Sequence, residues 1–164
     1  MDKKINDAFN EHMNREFYSA YLYLAMGGRC EELDLEGIGH WMVAQYEEEL
    51  GHAKKFYDYI NDRDGKVELK PIAAPPKNLG TPVSMFGMSL KQEQGITQQI
   101  QQLHDLCQKQ GDGASCVFLH WFIEEQVEEE KMVRQILADL KLVANSPDGL
   151  YLIDRELGKR GQAG

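Results

Sequence analysis

Cysteine is scarce in this chain and is not arranged in pairs. The three cysteines, Cys30, Cys107 and Cys116, leave an odd count and include no CxxC spacing. That pattern argues against a disulfide framework and a cysteine-rich zinc cluster, and it fits a reducing compartment. No segment approaches the roughly 20 apolar residues of a membrane span, and the N-terminal MDKKINDAFN lacks the apolar stretch of a secretion signal. We therefore predict a cytoplasmic protein without a membrane partner.

Basic residues are too few to balance the acidic ones. The 164 residues carry 18 Lys and Arg against 27 Asp and Glu, a formal net charge of -9. Such a balance disfavours binding to nucleic acid or to an anionic membrane, and it suits a protein that attracts cations. The length is that of a single domain with a sizeable core, so we predict one domain spanning residues 1–164.

Proline is absent from most of the chain and concentrated in one segment. Lys66–Pro82 contains Pro71, Pro75, Pro76 and Pro82, which excludes a helix there and leaves enough extended chain to cross a bundle. Five helices are predicted around this crossover. They run from about Lys4 to Glu31, Glu36 to just before Asp64, Val83 to Gln110, Ala114 to Ala144, and Ser146 to near Gly158. The predicted fold class is all-α: an antiparallel four-helix bundle with one long crossover between helices two and three and a short fifth C-terminal helix.

Metal-ligand residues interrupt the apolar stripes of the four long helices. Counting in steps of three and four, each stripe is apolar at both ends and carries polar groups near its middle. These groups are Glu16, Glu49, His52, Glu93, Gln126 and Glu129. Buried carboxylates repel one another and are costly without counter-cations. Oxygen ligands with one imidazole suit divalent iron, manganese or zinc, and Glu49 and His52 share a helix face at i, i+3.

Each of these residues, taken alone, also has an interpretation that involves no metal. A single Glu on an apolar stripe usually marks a misjudged boundary or a side chain that reaches back to solvent, and His52 alone reads as a hydrogen-bonded core histidine. The coincidence at the middle of four helices favours a shared site. The EEQVEEE run, Glu124 to Glu130, is either a solvated acidic face or an acidic flank in which Glu125 and Glu128 join Glu48 beside the main site.

Four sequence blocks together resemble the bacterial non-haem ferritins. They are NREFYSAYLYLAM, YEEELGHAKKFYDYI, Glu93 within KQEQG, and QVEEE, and the match extends over nearly the whole chain. Ferritin-like di-iron proteins are themselves the type example of carboxylate ligands on a four-helix bundle. The resemblance implies a ferritin-like fold, a hollow shell of 24 subunits, oxidation of Fe2+ by dioxygen or peroxide, and storage of Fe3+ as a mineral.

The resemblance also implies roles for individual residues. Glu16 and His52 would bind one iron, Glu93 and Glu129 the second, and Glu49 would bridge them. Gln126 would lie beside this ferroxidase centre and orient dioxygen or water. Tyr23 resembles the site tyrosine of the family and would supply an electron or hydrogen-bond a ligand, although a core tyrosine with a satisfied hydroxyl is nearly as plain an interpretation. Glu48, Glu125 and Glu128 resemble a third iron site of bacterial members.

Two departures separate the chain from related families. Bacterioferritins repeat Glu-x-x-His on the fourth helix, where this chain has Gln126-x-x-Glu129, and carry a haem-ligating methionine where this chain has Leu50; we therefore expect no haem. Rubrerythrins add a cysteine-rich iron module that three scattered cysteines cannot build. Three rival functions stay open: a di-iron oxygenase or peroxidase, a DNA-protecting mini-ferritin, and a non-catalytic helical interaction protein.

Overall fold

Five α-helices account for most of residues 1–161, which are the residues that the computed structural model describes. They are α1 (Lys3–Glu32), α2 (Glu36–Asp62), α3 (Pro82–Lys109), α4 (Gly113–Leu142) and α5 (Pro147–Leu157). Within this part of the chain there is no strand, so the all-α prediction is confirmed and the helix ends agree to within about two residues. The last three residues of the predicted domain 1–164 lie outside the described residues. No helix in residues 1–161 has the length and hydropathy needed to cross a bilayer.

Local chemistry explains where these helices begin. The Thr81 hydroxyl accepts a hydrogen bond from the Ser84 amide at 3.4 Å, and Pro82 follows as the first helical residue of α3. Ser146 and Pro147 repeat the arrangement at α5. Hydroxyl caps satisfy free amides of the first turn, and proline there loses no helical hydrogen bond.

The α2 N-terminus is capped from a different helix. Leu35 offers no side-chain cap, and instead the Asp154 carboxylate of α5 accepts a hydrogen bond from the Ile38 amide at 2.8 Å. A Cβ at Gly37 would lie 1.8 Å from the Asp154 carbonyl oxygen. Glycine at this position therefore lets α5 approach closely enough to supply the missing cap.

The hydrophobic core consists of two clusters, one towards each end of the bundle. One cluster joins the N-terminal halves of α1 and α4 to the C-terminal halves of α2 and α3, through Ile5, Phe9, Phe56, Ile100, Leu119 and Phe122. The other joins the opposite halves, through Met26, Ile38, Met42, Phe86, Val133 and Ile136. Thus α1 and α4 run in one direction and α2 and α3 in the other, as the predicted crossover requires.

The crossover lies along α1 and is held there by a ladder of amides. Three asparagines spaced one turn apart on α1 face alternate residues of the extended chain: Asn6, Asn10 and Asn14 opposite residues 66, 68 and 70. Asn10 donates to the Lys66 carbonyl at 2.8 Å and accepts from the Glu68 amide at 2.6 Å. Four helical residues rise about 6 Å and two extended residues about 6.6 Å, so the two spacings match.

Candidate metal centre

A layer of polar side chains separates the two hydrophobic clusters. The six residues predicted from the stripes are all buried, each at most 3 % exposed: Glu16, Glu49, His52, Glu93, Gln126 and Glu129. Glutamates that reached back to solvent would be far more exposed, so that interpretation is wrong for all four of them. The layer therefore brings four carboxylates together in the buried centre of the bundle.

Three of these residues from α1 and α2 form a compact group. Glu16, Glu49 and His52 each offer a ligand atom within 4.8 Å of the others, and His52 Nδ1 lies 3.4 Å from Glu49 Oε2. The i, i+3 spacing places Glu49 and His52 on one face of α2, and α1 brings Glu16 to the same level. Two carboxylates and an imidazole at these separations could hold one divalent cation.

The other two carboxylates, Glu93 and Glu129, are oriented by neutral donors. The Tyr23 hydroxyl donates to Glu93 Oε1 at 2.6 Å, and Gln126 Nε2 donates to Glu93 Oε2 at 3.2 Å. Gln45 Nε2 donates to Glu49 Oε1 at 3.2 Å and to Glu129 Oε2 at 2.9 Å. The amide of Gln45 therefore connects the compact group to the α4 carboxylate.

Burial and mutual repulsion set the protonation of the layer. Burial, with the neighbouring carboxylates, raises the pKa of Glu49 well above its ordinary value. Burial is also the main cause that raises the pKa of Glu93 to about 7 and that of Glu129 to about 8. For Glu16 burial acts in the same direction, but the attraction and hydrogen bond of His12 help to bring its pKa below the ordinary value. The metal-free layer is thus partly protonated at neutral pH.

The sequence is similar to those of known proteins over nearly its whole length. A profile of the Ferritin-like domain family matches residues 6–143, which include the four long helices apart from three residues at the start of α1. The chain belongs to the ferritin family. The bacterial non-heme ferritin of Staphylococcus saprophyticus is 39 % identical over 160 residues, covering 98 % of this chain and 96 % of that protein. The bacterial non-heme ferritin of Staphylococcus aureus is 35 % identical with the same coverage.

Solved structures confirm the ferritin-like fold. The crystal structure of an open pore ferritin from the hyperthermophilic archaeon Archaeoglobus fulgidus has a TM-score of 0.96 to this chain at 35 % identity, covering 98 % of this chain and 99 % of that one. A humanized archaeal ferritin also has a TM-score of 0.96, at 34 % identity. The bundle with one crossover and a short fifth helix is thus the ferritin bundle.

The acidic flank of this ferritin chain differs from its predicted composition. Glu48 and Glu125 do lie together, but their partner within 4.8 Å is His52. Glu128 is exposed and does not join this group. Arg160 also occupies the flank, since its Nη2 donates to Glu48 Oε2 at 2.5 Å and its Nη1 to Gln45 Oε1 at 2.8 Å. One histidine thus borders both acidic groups, and a guanidinium already pairs with one member of the second.

Three residues that contact the layer were not predicted as site residues. Gln45 lies on the α2 stripe one turn before Glu49, so its position in the sequence could have indicated that it contacts the site. His12, which contacts Glu16, lies one turn before it on α1 but beside the apolar stripe. Arg160 follows α5, and nothing in the local sequence indicates that it returns to α2.

Proposed function

We propose that this chain stores iron: it oxidises Fe2+ at the bundle centre and collects Fe3+ as a hydrated oxide mineral inside a hollow shell of 24 subunits. The observation that carries the proposal is the layer of four buried carboxylates with no buried lysine or arginine among residues 1–161. Four ionised carboxylates carry a charge of about -4, which two divalent cations would neutralise. The family membership supports iron as the cation, and the location we propose is cytoplasmic.

The donor set fits a pair of iron ions as substrate. We assign Glu16 and His52 to one position, Glu93 and Glu129 to the other, and Glu49 to the space between them. Glu49 suits that role because it belongs to the compact group and shares the Gln45 amide with Glu129. Carboxylates are hard ligands that bind both Fe2+ and Fe3+, so the layer can hold iron before and after it loses an electron to dioxygen or peroxide.

Two neutral side chains would keep the second position in place during turnover. Tyr23 and Gln126 both donate to Glu93, one to each carboxylate oxygen. The pKa of Tyr23 is raised well above its ordinary value by burial and by Glu93, so its hydroxyl keeps its hydrogen at neutral pH. We propose that both residues orient Glu93 without ionising themselves.

Glu48 and Glu125 would provide a weaker third position. They share His52 with the centre, and the Arg160 guanidinium competes with a metal ion for Glu48. We propose that iron leaving the centre binds here only transiently. Glu128, being exposed, would act at most as an additional acidic group on the way out.

Stopped-flow oxidation of about two Fe2+ per subunit tests the assignment. Replacing Glu49 with alanine should slow the rapid phase by more than about tenfold, because even outer partners of metal ligands contribute roughly 10–100-fold. Glu128→Ala is the matched control on an exposed carboxylate and should oxidise iron at nearly the normal rate. Equal rates for wild type and Glu49→Ala would remove Glu49 from the centre. Particle mass and an electron-dense core after iron loading test the shell and the storage role.

A further inference from the structure

A buried histidine outside the proposed ligand set contacts one of its ligands. His12 is 2 % exposed, and its Nε2 lies 2.7 Å from Glu16 Oε1. The two residues are one helical turn apart on α1, so they share a helix face. A metal-bound carboxylate is ionised and can only accept, so Nε2 must carry the hydrogen of this bond.

Because of this contact, the two carboxylate oxygens of Glu16 differ in their hydrogen bonding. Oε1 accepts from His12, whereas Oε2 is buried and has no hydrogen-bond partner among the described residues. The imidazole ring is itself fixed by packing against Phe56, with ring centroids 4.6 Å apart. His12 would therefore restrict rotation of the Glu16 carboxylate by engaging Oε1, and Oε2 would remain free of hydrogen bonds and open to a metal ion.

We propose that His12 is a positioning residue that holds the Glu16 carboxylate in its metal-binding orientation, with Oε2 left unpaired for the ion. The inference rests on the proposed function, because it concerns the iron position assigned to Glu16 and His52. Hydrogen-bonded partners of metal ligands fix ligand orientation, and their loss typically costs 10–100-fold in metal affinity. A histidine that served packing alone would instead be replaceable by an apolar side chain of similar size without any effect on metal binding.

Metal titration of the assembled, iron-free protein tests the role directly. Co2+ is the probe under anaerobic conditions, because its visible spectrum reports ligand geometry and a calorimetric titration gives the affinity of each position. His12→Leu should weaken one of the two positions by roughly 10–100-fold and alter its spectrum, as expected for a lost outer partner. His12→Gln, which keeps an N–H donor on a long side chain, should restore most of the affinity. His104→Leu is the matched control on a partly exposed histidine of α3 and should bind like wild type.

The results of the titration distinguish a failure of the positioning role of His12 from a failure of the proposed function on which that role rests. If wild type binds no Co2+ at the centre, the proposed function fails. If wild type binds two ions and His12→Leu binds both with unchanged affinity and spectrum, the positioning role fails alone. Should His12→Leu not assemble, His12→Gln is compared with His12→Asn, whose shorter side chain cannot reach Glu16. Equal affinity of those two variants for both ions would also overturn the inference.

Discussion

Metal binding at the bundle centre should displace protons, and the number displaced should fall as the pH rises. The pKa values of Glu49, Glu93 and Glu129 are all raised by burial, so below those values each carboxyl holds a proton that a cation must replace. Burial lowers the pKa of His52, which leaves its ring neutral and ready to bind metal at pH 7. Because the carboxyls interact, the protons belong to the layer as a whole.

The raised pKa values set the size of the effect. With a pKa of about 8 for Glu129 and about 7 for Glu93, these groups are about nine-tenths and about half protonated at pH 7. Together these two groups hold about 1.4 protons per subunit at pH 7, about 1.9 at pH 6 and about 0.6 at pH 8, and the raised pKa of Glu49 adds to each of these numbers. Since each displaced proton contributes a factor of ten per pH unit, release from Glu93 and Glu129 alone should raise the apparent affinity by about 25-fold between pH 6.5 and 7.5, and release from Glu49 should raise it further.

Calorimetric titration of the iron-free protein with Zn2+, in buffers of different ionisation enthalpy, measures the released protons. Zinc avoids any proton exchange that comes from iron oxidation. Glu124→Gln removes an exposed α4 carboxylate and should leave the count unchanged, whereas Glu129→Gln should lower it by about one at pH 7. Proton release near zero at pH 7, or equal at pH 6 and pH 8, would refute the protonation assigned to the layer.

Four further measurements examine other features of the chain. Zn2+ at a hundredfold excess over Kd should stabilise the folded protein by about 2.7 kcal/mol, and the Glu16→Ala, His52→Ala double variant should lose most of the resulting shift in Tm. Without metal, Glu49, Glu93 and Glu129 bind protons more tightly in the folded than in the unfolded protein. Their contribution to stability is therefore complete below the unfolded-state pKa of about 4.3 and is lost as the pH rises. The free energy of unfolding should decrease from pH 5 to pH 8 in denaturant titrations, and an increase would contradict this. Asn10→Ala removes two hydrogen bonds to the crossover and should cost about 1–3 kcal/mol in the same titrations; an unchanged midpoint would mean that the amide ladder contributes little. Protein from a haem-replete host should show no stoichiometric Soret band, because Leu50 offers no axial ligand.

The sequence by itself determined the helices and the membership of the buried layer. Cap residues such as Thr81 and Ser146, the clustered prolines and the 3.6-residue period act over a few neighbouring residues, so they can be read locally. The burial of Glu16, Glu49 and Glu93 followed from their positions on apolar stripes, since a helix fixes which side chains share a face. Antiparallel and parallel packing of helices of similar length then brought the stripe centres to one level.

Only the tertiary structure decided which groups contact the layer from outside the stripes. The pairing of Arg160 with Glu48 and the capping of α2 by Asp154 join segments more than a hundred residues apart, and no local pattern encodes such contacts. The rotation of α4 about its axis decided which carboxylates belong to the acidic flank. Glu128 follows Glu125 by three residues on α4, yet only Glu125 lies within reach of His52. A sequence stripe defines the face of a helix to within one residue, about 100° of rotation. Whether a side chain at the margin of that face meets a ligand or solvent depends on how neighbouring helices pack.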